Sequence, residues 1–155
     1  MLRKLPLLTA LAMTLAGFLL MVGFEHAGAD TTSSQLQLQF AWNAEQTRAV
    51  LASWSDAGRV RVTKGIYADT LFLIGYSTLL AQLLRATRRK WAPWLAWGVL
   101  LAGGLDAVEN VFLIGFIQDA IDTRFSLLVS LMATLKFGLI GAALLYLGTG
   151  FRASR

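Results

Sequence analysis

The apolar and polar positions of this chain divide into four long apolar stretches, Leu5 to Phe24, Ile66 to Leu84, Trp91 to Ile117 and Phe125 to Gly148, joined by polar segments. A helix needs about 20 mostly apolar residues to cross the hydrocarbon core of a bilayer. Each stretch approaches or meets that length. The pattern predicts an all-α integral membrane four-helix bundle, with residues 1–155 forming a single membrane domain.

Between the first two spans the pattern changes, and residues of about 31–65 read as a small extracytoplasmic cap. Gln35 to Trp42 alternates, placing Leu36, Leu38, Phe40 and Trp42 on one face, which is a strand signal. Asn43 is placed to cap a helix, with Gln46 three residues on completing a capping-box pattern. In that helix Thr47, Val50, Leu51 and Trp54 share a stripe, Glu45, Arg48 and Asp56 face water, and Gly58 forms the stop. Arg59 to Lys64 alternates again, with Val60 and Val62 opposed to Arg59 and Arg61, and reads as a second strand. A strand-helix-strand unit of this size cannot bury its own core. Leu36, Leu38, Phe40, Trp42, Val50, Leu51 and Trp54 are therefore expected to form a docking face, resting on the bundle or on lipid.

Composition agrees with lipid as the solvent: of 155 residues, 56% are hydrophobic, and mean hydropathy is positive. A net charge of +5 would suit nucleic acid were it spread over a surface. Instead Arg3, Lys4, Arg85, Arg88, Arg89, Lys90, Arg152 and Arg155 gather at one set of span ends with no acid among them. That is the positive-inside pattern, and it puts both termini and the short Arg/Lys loop on the cytoplasmic side. Trp91, Trp94 and Trp97 supply an aromatic anchor at that interface. The other side is close to neutral. No nucleic-acid partner is expected.

The first span has a second reading. Its basic start, its apolar run and Ala27-Gly28-Ala29 before Asp30 imitate a cleavable signal peptide. The apolar run exceeds the roughly 7 to 15 residues of a signal core, and Glu25 and His26 sit awkwardly before the small residues, which favours retention. With no Cys and one His, neither a metal site nor a cofactor is expected. His26 reads as an interfacial residue rather than a catalytic base.

The candidate chemistry lies inside the spans: Asp69 and Tyr76 in the second, Asp106, Glu109 and Asn110 in the third, and Lys136 in the fourth. A charge at the centre of a membrane helix costs roughly 2.5 to 3.5 kcal/mol even on the lenient insertion scale, so such residues face the bundle interior and find partners. Asp106, Glu109 and Asn110 share one helical face, which Gly103 continues inward. Asp106 and Lys136 fall near the midplane and are expected to pair. Three acids against one Lys leave an imbalance. Either one or two carboxyls stay protonated, or a basic residue of the cap reaches down, or a cationic ligand binds. The stripe Ser130, Thr134, Gly138 and Gly141 in the last span reads as close helix packing rather than a pore lining.

These marks, namely the segment around Trp54, Asp69 with Phe72 and Tyr76, the Asp106-Ala107-Val108-Glu109-Asn110 run and Lys136, carry a resemblance over roughly residues 40–146. The chain resembles a group of small bacterial four-span membrane proteins to which no activity is attached. The resemblance implies a bacterial plasma (inner) membrane location and a four-span bundle, and it transfers no chemistry. A looser analogy, of architecture and intramembrane acids alone, is with four-span bundles of the sterol-isomerase and sigma-2-receptor type, which hold cationic or carbocation-like ligands.

The leading expectation is an outward-opening polar cavity lined by Asp69, Tyr76, Asp106, Glu109 and Asn110 and closed by Lys136, binding a membrane lipid or an amphiphilic or cationic ligand. The alternatives are a structural or assembly subunit in which the charges only clamp helices and the cap docks a membrane partner protein, a lipid-modifying enzyme using Asp106 or Glu109 as acid and base, and a proton or cation transport component requiring a homo-oligomer.

Overall fold

The computed structural model describes residues 5–26 and 34–152. Its elements are α1 (Leu5–His26), α2 (Gln35–Gln39), α3 (Ala44–Ser53), α4 (Asp56–Ala86), α5 (Ala92–Ile117), a 3-10 turn (Thr123–Phe125) and α6 (Ser126–Arg152). α1, α4, α5 and α6 are each long and apolar enough to cross a membrane. The chain is thus an all-helical, multi-pass membrane protein.

The expected strands of the cap are absent: no strand occurs among the described residues. At Gln35–Gln39 the period of two gives way to a short helix, started by Ser34, whose hydroxyl accepts the Leu36 N–H at 3.2 Å. Helical spacing buries Gln35, Leu38 and Gln39 together and turns Leu36 outward. The glutamines can go inside because the bundle offers them polar partners, a circumstance invisible to a hydrophobicity pattern. Arg59 to Lys64 is likewise no strand but part of the first turns of α4. Val60 is 54% exposed and Val62 only 1%, so the two valines do not share a face. Val62 instead begins a helical stripe with Ile66, Asp69 and Leu73, all buried.

Asn43 does cap α3, accepting the Gln46 N–H at 2.9 Å. Thr47, Leu51 and Trp54 are buried, Val50 is half-buried, and Glu45, Arg48 and Asp56 are exposed, as the stripe requires. Gly58 is not the stop. α3 ends at Ser53, Trp54 is extended, and Ser55 opens α4 by accepting the Gly58 N–H at 3.1 Å. α4 therefore begins well before Ile66 and carries its polar first turns beyond the apolar span. Of the expected docking face, Leu38, Leu51, Trp54 and half-buried Val50 pack on the bundle, while Leu36, Phe40 and Trp42 remain exposed. Ala27-Gly28-Ala29 lies outside the described residues, as does the side chain of His26.

The four long helices form an arc. α1 packs on α4, α4 on α5 and α5 on α6, leaving α1 and α6 as the outer members. The first of these contacts is backbone against backbone: a Cβ at Gly17 would collide with the main chain at Phe72, and one at Gly75 with that of Met13 and Thr14. On the next face Gly103 makes room for the Ser77 side chain. Two hydrophobic clusters fill the arc. One, toward the cap, joins Leu38, Leu51 and Trp54 to Val62, Ile66, Leu113, Phe116 and Val129. The other, toward the basic loop, joins Leu73, Leu80 and Leu84 to Ala92, Ala96, Val99 and Ala143. The stripe in α6 does not pack as expected. Ser130 is buried, but Thr134 and Gly138 face outward and Gly141 is only half-covered.

The α1 contact predicts opposite outcomes for two Gly→Ala changes. An extra methyl favours an exposed helix position by up to about 1 kcal/mol, whereas overpacking a tight contact costs about 1–3 kcal/mol. Gly75→Ala should lower the melting temperature of the detergent-solubilised protein. Gly104→Ala, beside which nothing lies within 4 Å, should hold or raise it.

Candidate functional site

Between the two apolar clusters lies a polar layer, and the helical spacing places it. Asp69 falls between Ile66 and Leu73 on α4, and Asp106, Glu109 and Asn110 fall between Val99 and Leu113 on α5. Lys136 falls between Val129 and Ala143 on α6. At about 1.5 Å per residue, Asp106 and Lys136 both lie about 15 Å from the cap ends of their helices. Asp69, Tyr76, Asp106, Glu109, Asn110 and Lys136 are all buried.

The expected pair forms, and it is a triad. The Lys136 ammonium donates to Asp106 Oδ1 and to Glu109 Oε1, the latter at 3.1 Å. Tyr76 Oη donates to the remaining Asp106 oxygen, Oδ2, at 3.1 Å. Glu109 is fully buried, so the single ammonium faces two dehydrated carboxylates. Asp69 is held differently. Asn110 Nδ2 donates to Asp69 Oδ2 at 2.7 Å, and Asn110 Oδ1 in turn accepts from Gln35 Nε2 at 3.3 Å. Among the described residues Asp69 has amide partners and no ion pair.

Gln35 is the member that sequence reasoning missed. In a Gln-Leu-Gln-Leu-Gln run it looked like the wet face of a strand. Ser34 as an N-cap, with glutamines four apart, was the available signal for a helix with a polar face. The contact also ties the cap to the membrane layer, reinforced where Ser130 Oγ donates to the Gln39 carbonyl at 2.9 Å. On the buried side of α3, Thr47 Oγ1 and Ser126 Oγ lie 2.6 Å apart.

A cavity of about 300 Å³ opens beside this layer. Asp69, Tyr76, Asp106 and Lys136 supply its polar wall, Phe72 continues that wall, and Ser34, Gln35, Leu36 and Gln39 lie over its cap side. Phe18 and Met21 of α1 stand opposite Phe137 and Ile140 of α6. α2 covers the cap side of the cavity, and Phe18 of α1 and Phe137 of α6, both partly exposed, flank it. Glu109 and Asn110 do not line it; they stand behind Lys136 and Asp69.

This arrangement separates two kinds of work. Asp106 has both oxygens engaged, by Lys136 and Tyr76, and Glu109 does not line the cavity. Asp69 combines access to the cavity with amide hydrogen bonding and, among the described residues, no ion pair. The chain matches no family model, no curated protein and no solved structure. The site is therefore read on its own geometry.

Removing one partner of a buried ion pair costs about 3–5 kcal/mol because the other charge is stranded. Lys136→Met should therefore destabilise the protein by about that amount or prevent its accumulation. Adding Asp106→Asn and Glu109→Gln to Lys136→Met should recover part of the loss, as read by thermal unfolding in detergent. No recovery would mean that Lys136 supports the fold through its packing rather than its charge.

Proposed function

We propose that the protein binds an amphiphile with a cationic head in the lateral cavity, the head on Asp69 and the tail passing between α1 and α6. The observation that carries this reading is the Asp69 carboxylate: buried, facing the cavity and, among the described residues, partnered by amides with no ion pair. A carboxylate in a membrane interior calls for a cation, and the aromatic walls of Phe18, Phe72 and Phe137 suit both an alkyl chain and the cation above it. The volume sits at the lower end of the range of about 300–1,000 Å³ for ligand pockets. That size fits a head and the upper part of one chain.

The clamp reading applies to the other half of the layer. Lys136 is bonded to both Asp106 and Glu109 and joins α5 to α6, so the role of the three in this proposal is to hold the wall in which Asp69 is set. The proposal places the protein in a bacterial plasma membrane, with the basic loop and both termini in the cytoplasm and the cap outside. The excess of Arg and Lys at one end supports that orientation.

Dodecylamine added to the purified protein should raise its melting temperature by several degrees. Dodecanol and dodecanoate, of equal chain length, should not. Asp69→Asn should remove the amine response while leaving the unliganded melting temperature nearly unchanged, since an amide can still accept from Asn110. Equal shifts with amine and alcohol, or an amine shift that survives Asp69→Asn, would sink the proposal.

A further inference from the structure

The opposite end of the bundle holds a second candidate site. α4 ends at Ala86, and the turn to α5 passes through Arg88, which adopts a left-handed conformation at φ 53°. That turn and the helix end before it carry Arg85, Arg88, Arg89 and Lys90, and no acidic residue occurs between Asp69 and Asp106 or after Asp122. Arg89 is not loose. Its Nη1 donates to the Tyr146 carbonyl at 2.6 Å, its Nη2 donates to Thr149 Oγ1 at 3.3 Å, and its guanidinium lies 3.9 Å from the Tyr146 ring centroid. Tyr146 is held in turn, its hydroxyl accepting the Trp91 N–H at 3.2 Å. A guanidinium has five N–H donors, and these bonds leave others available in a fixed plane, the arrangement that recognises phosphate.

Two apolar grooves, each of about 530 Å³, run from this point toward the membrane centre. One lies between α5 and α6 and is floored by Gly98 and Ala142 beside Trp94. The other follows α6 over Gly141 and Gly148 beside Leu144. Leu145, 74% exposed, borders both grooves as a ridge, and both end at Thr149 next to Arg89. We infer that this face binds an anionic diacyl phospholipid, one acyl chain in each groove, astride Leu145, with the phosphate on Arg89 and its basic neighbours.

Charge and shape select the occupant together. A basic surface at the headgroup level attracts anionic lipid, and exposed Arg88 and Lys90 flank the fixed Arg89. Two grooves meeting at one polar apex match a lipid with two chains on one phosphate. A second copy of this chain on the same face would bring two basic loops together against their repulsion. The site is separate from the Asp69 cavity and does not depend on its reading.

The test compares dioleoyl phosphatidylglycerol with dioleoyl phosphatidylcholine, added to the purified full chain in detergent, with bound lipid counted by native mass spectrometry and stability read by thermal unfolding. The glycerol lipid should bind at least about tenfold more tightly, and Arg88→Gln with Lys90→Gln should remove most of that preference. Gly148→Leu fills one groove at a position where nothing lies within 4 Å, so the protein should fold as before. It should weaken binding of the diacyl lipid several-fold and leave single-chain lysophosphatidylglycerol unaffected. Equal binding of the two diacyl lipids would overturn the site. A phosphatidylglycerol preference indifferent to Gly148→Leu would overturn the two-groove seating.

Discussion

One dehydrated ammonium holds the centre of this protein together. Lys136 is buried in α6 and bonded to Asp106 and Glu109 of α5. In hydrocarbon neither water nor salt can take over for a missing partner, so the three groups must arrive together or not at all. That requirement sets the register of α5 against α6. Tyr76, donating to the free oxygen of Asp106, carries the same register across to α4.

The cap follows from the same constraint. Asp69 and Asn110 complete the layer toward the cap, and Gln35 closes it with a side-chain amide from α2. A five-residue helix is too short to persist alone. It forms here because Gln35 and Gln39 are bonded to the bundle and Leu38 packs into the upper cluster. The segment thus gains its structure from the site it covers.

α1 contributes in a different way. It meets α4 through Gly17 and Gly75 at backbone distance, and it makes no comparable contact with α6. This one-sided attachment leaves the gap in which the cavity lies, with the polar layer at its back and Phe18 and Phe137 at its sides. Had α1 closed on α6, Asp69 would be a sealed structural residue. With the gap open, it is a buried acid that borders the cavity.

Much of this was legible without coordinates. The four spans, the capping role of Asn43, the stripe of Thr47, Leu51 and Trp54, and the pairing of Lys136 with Asp106 all follow from spacing and from the cost of charge in hydrocarbon, which act locally along each helix. The alternations at Gln35 to Trp42 and Arg59 to Lys64 misled because a period of two over so few residues is also compatible with a helix whose buried positions are partly polar. Whether Gln35 faces water or Asn110 depends on a residue 75 positions away, and no local pattern contains that information. The same holds for the cavity. Span length and the placing of the polar residues along it were enough to give a membrane bundle with three acids and one lysine inside it. The packing of the helices settled that Lys136 is shared between Asp106 and Glu109, that Asp69 borders the cavity, and that Phe18 of α1 and Phe137 of α6 stand at its sides. Those outcomes turn on distances between helices, which are set by packing and not by the periodicity of any one of them.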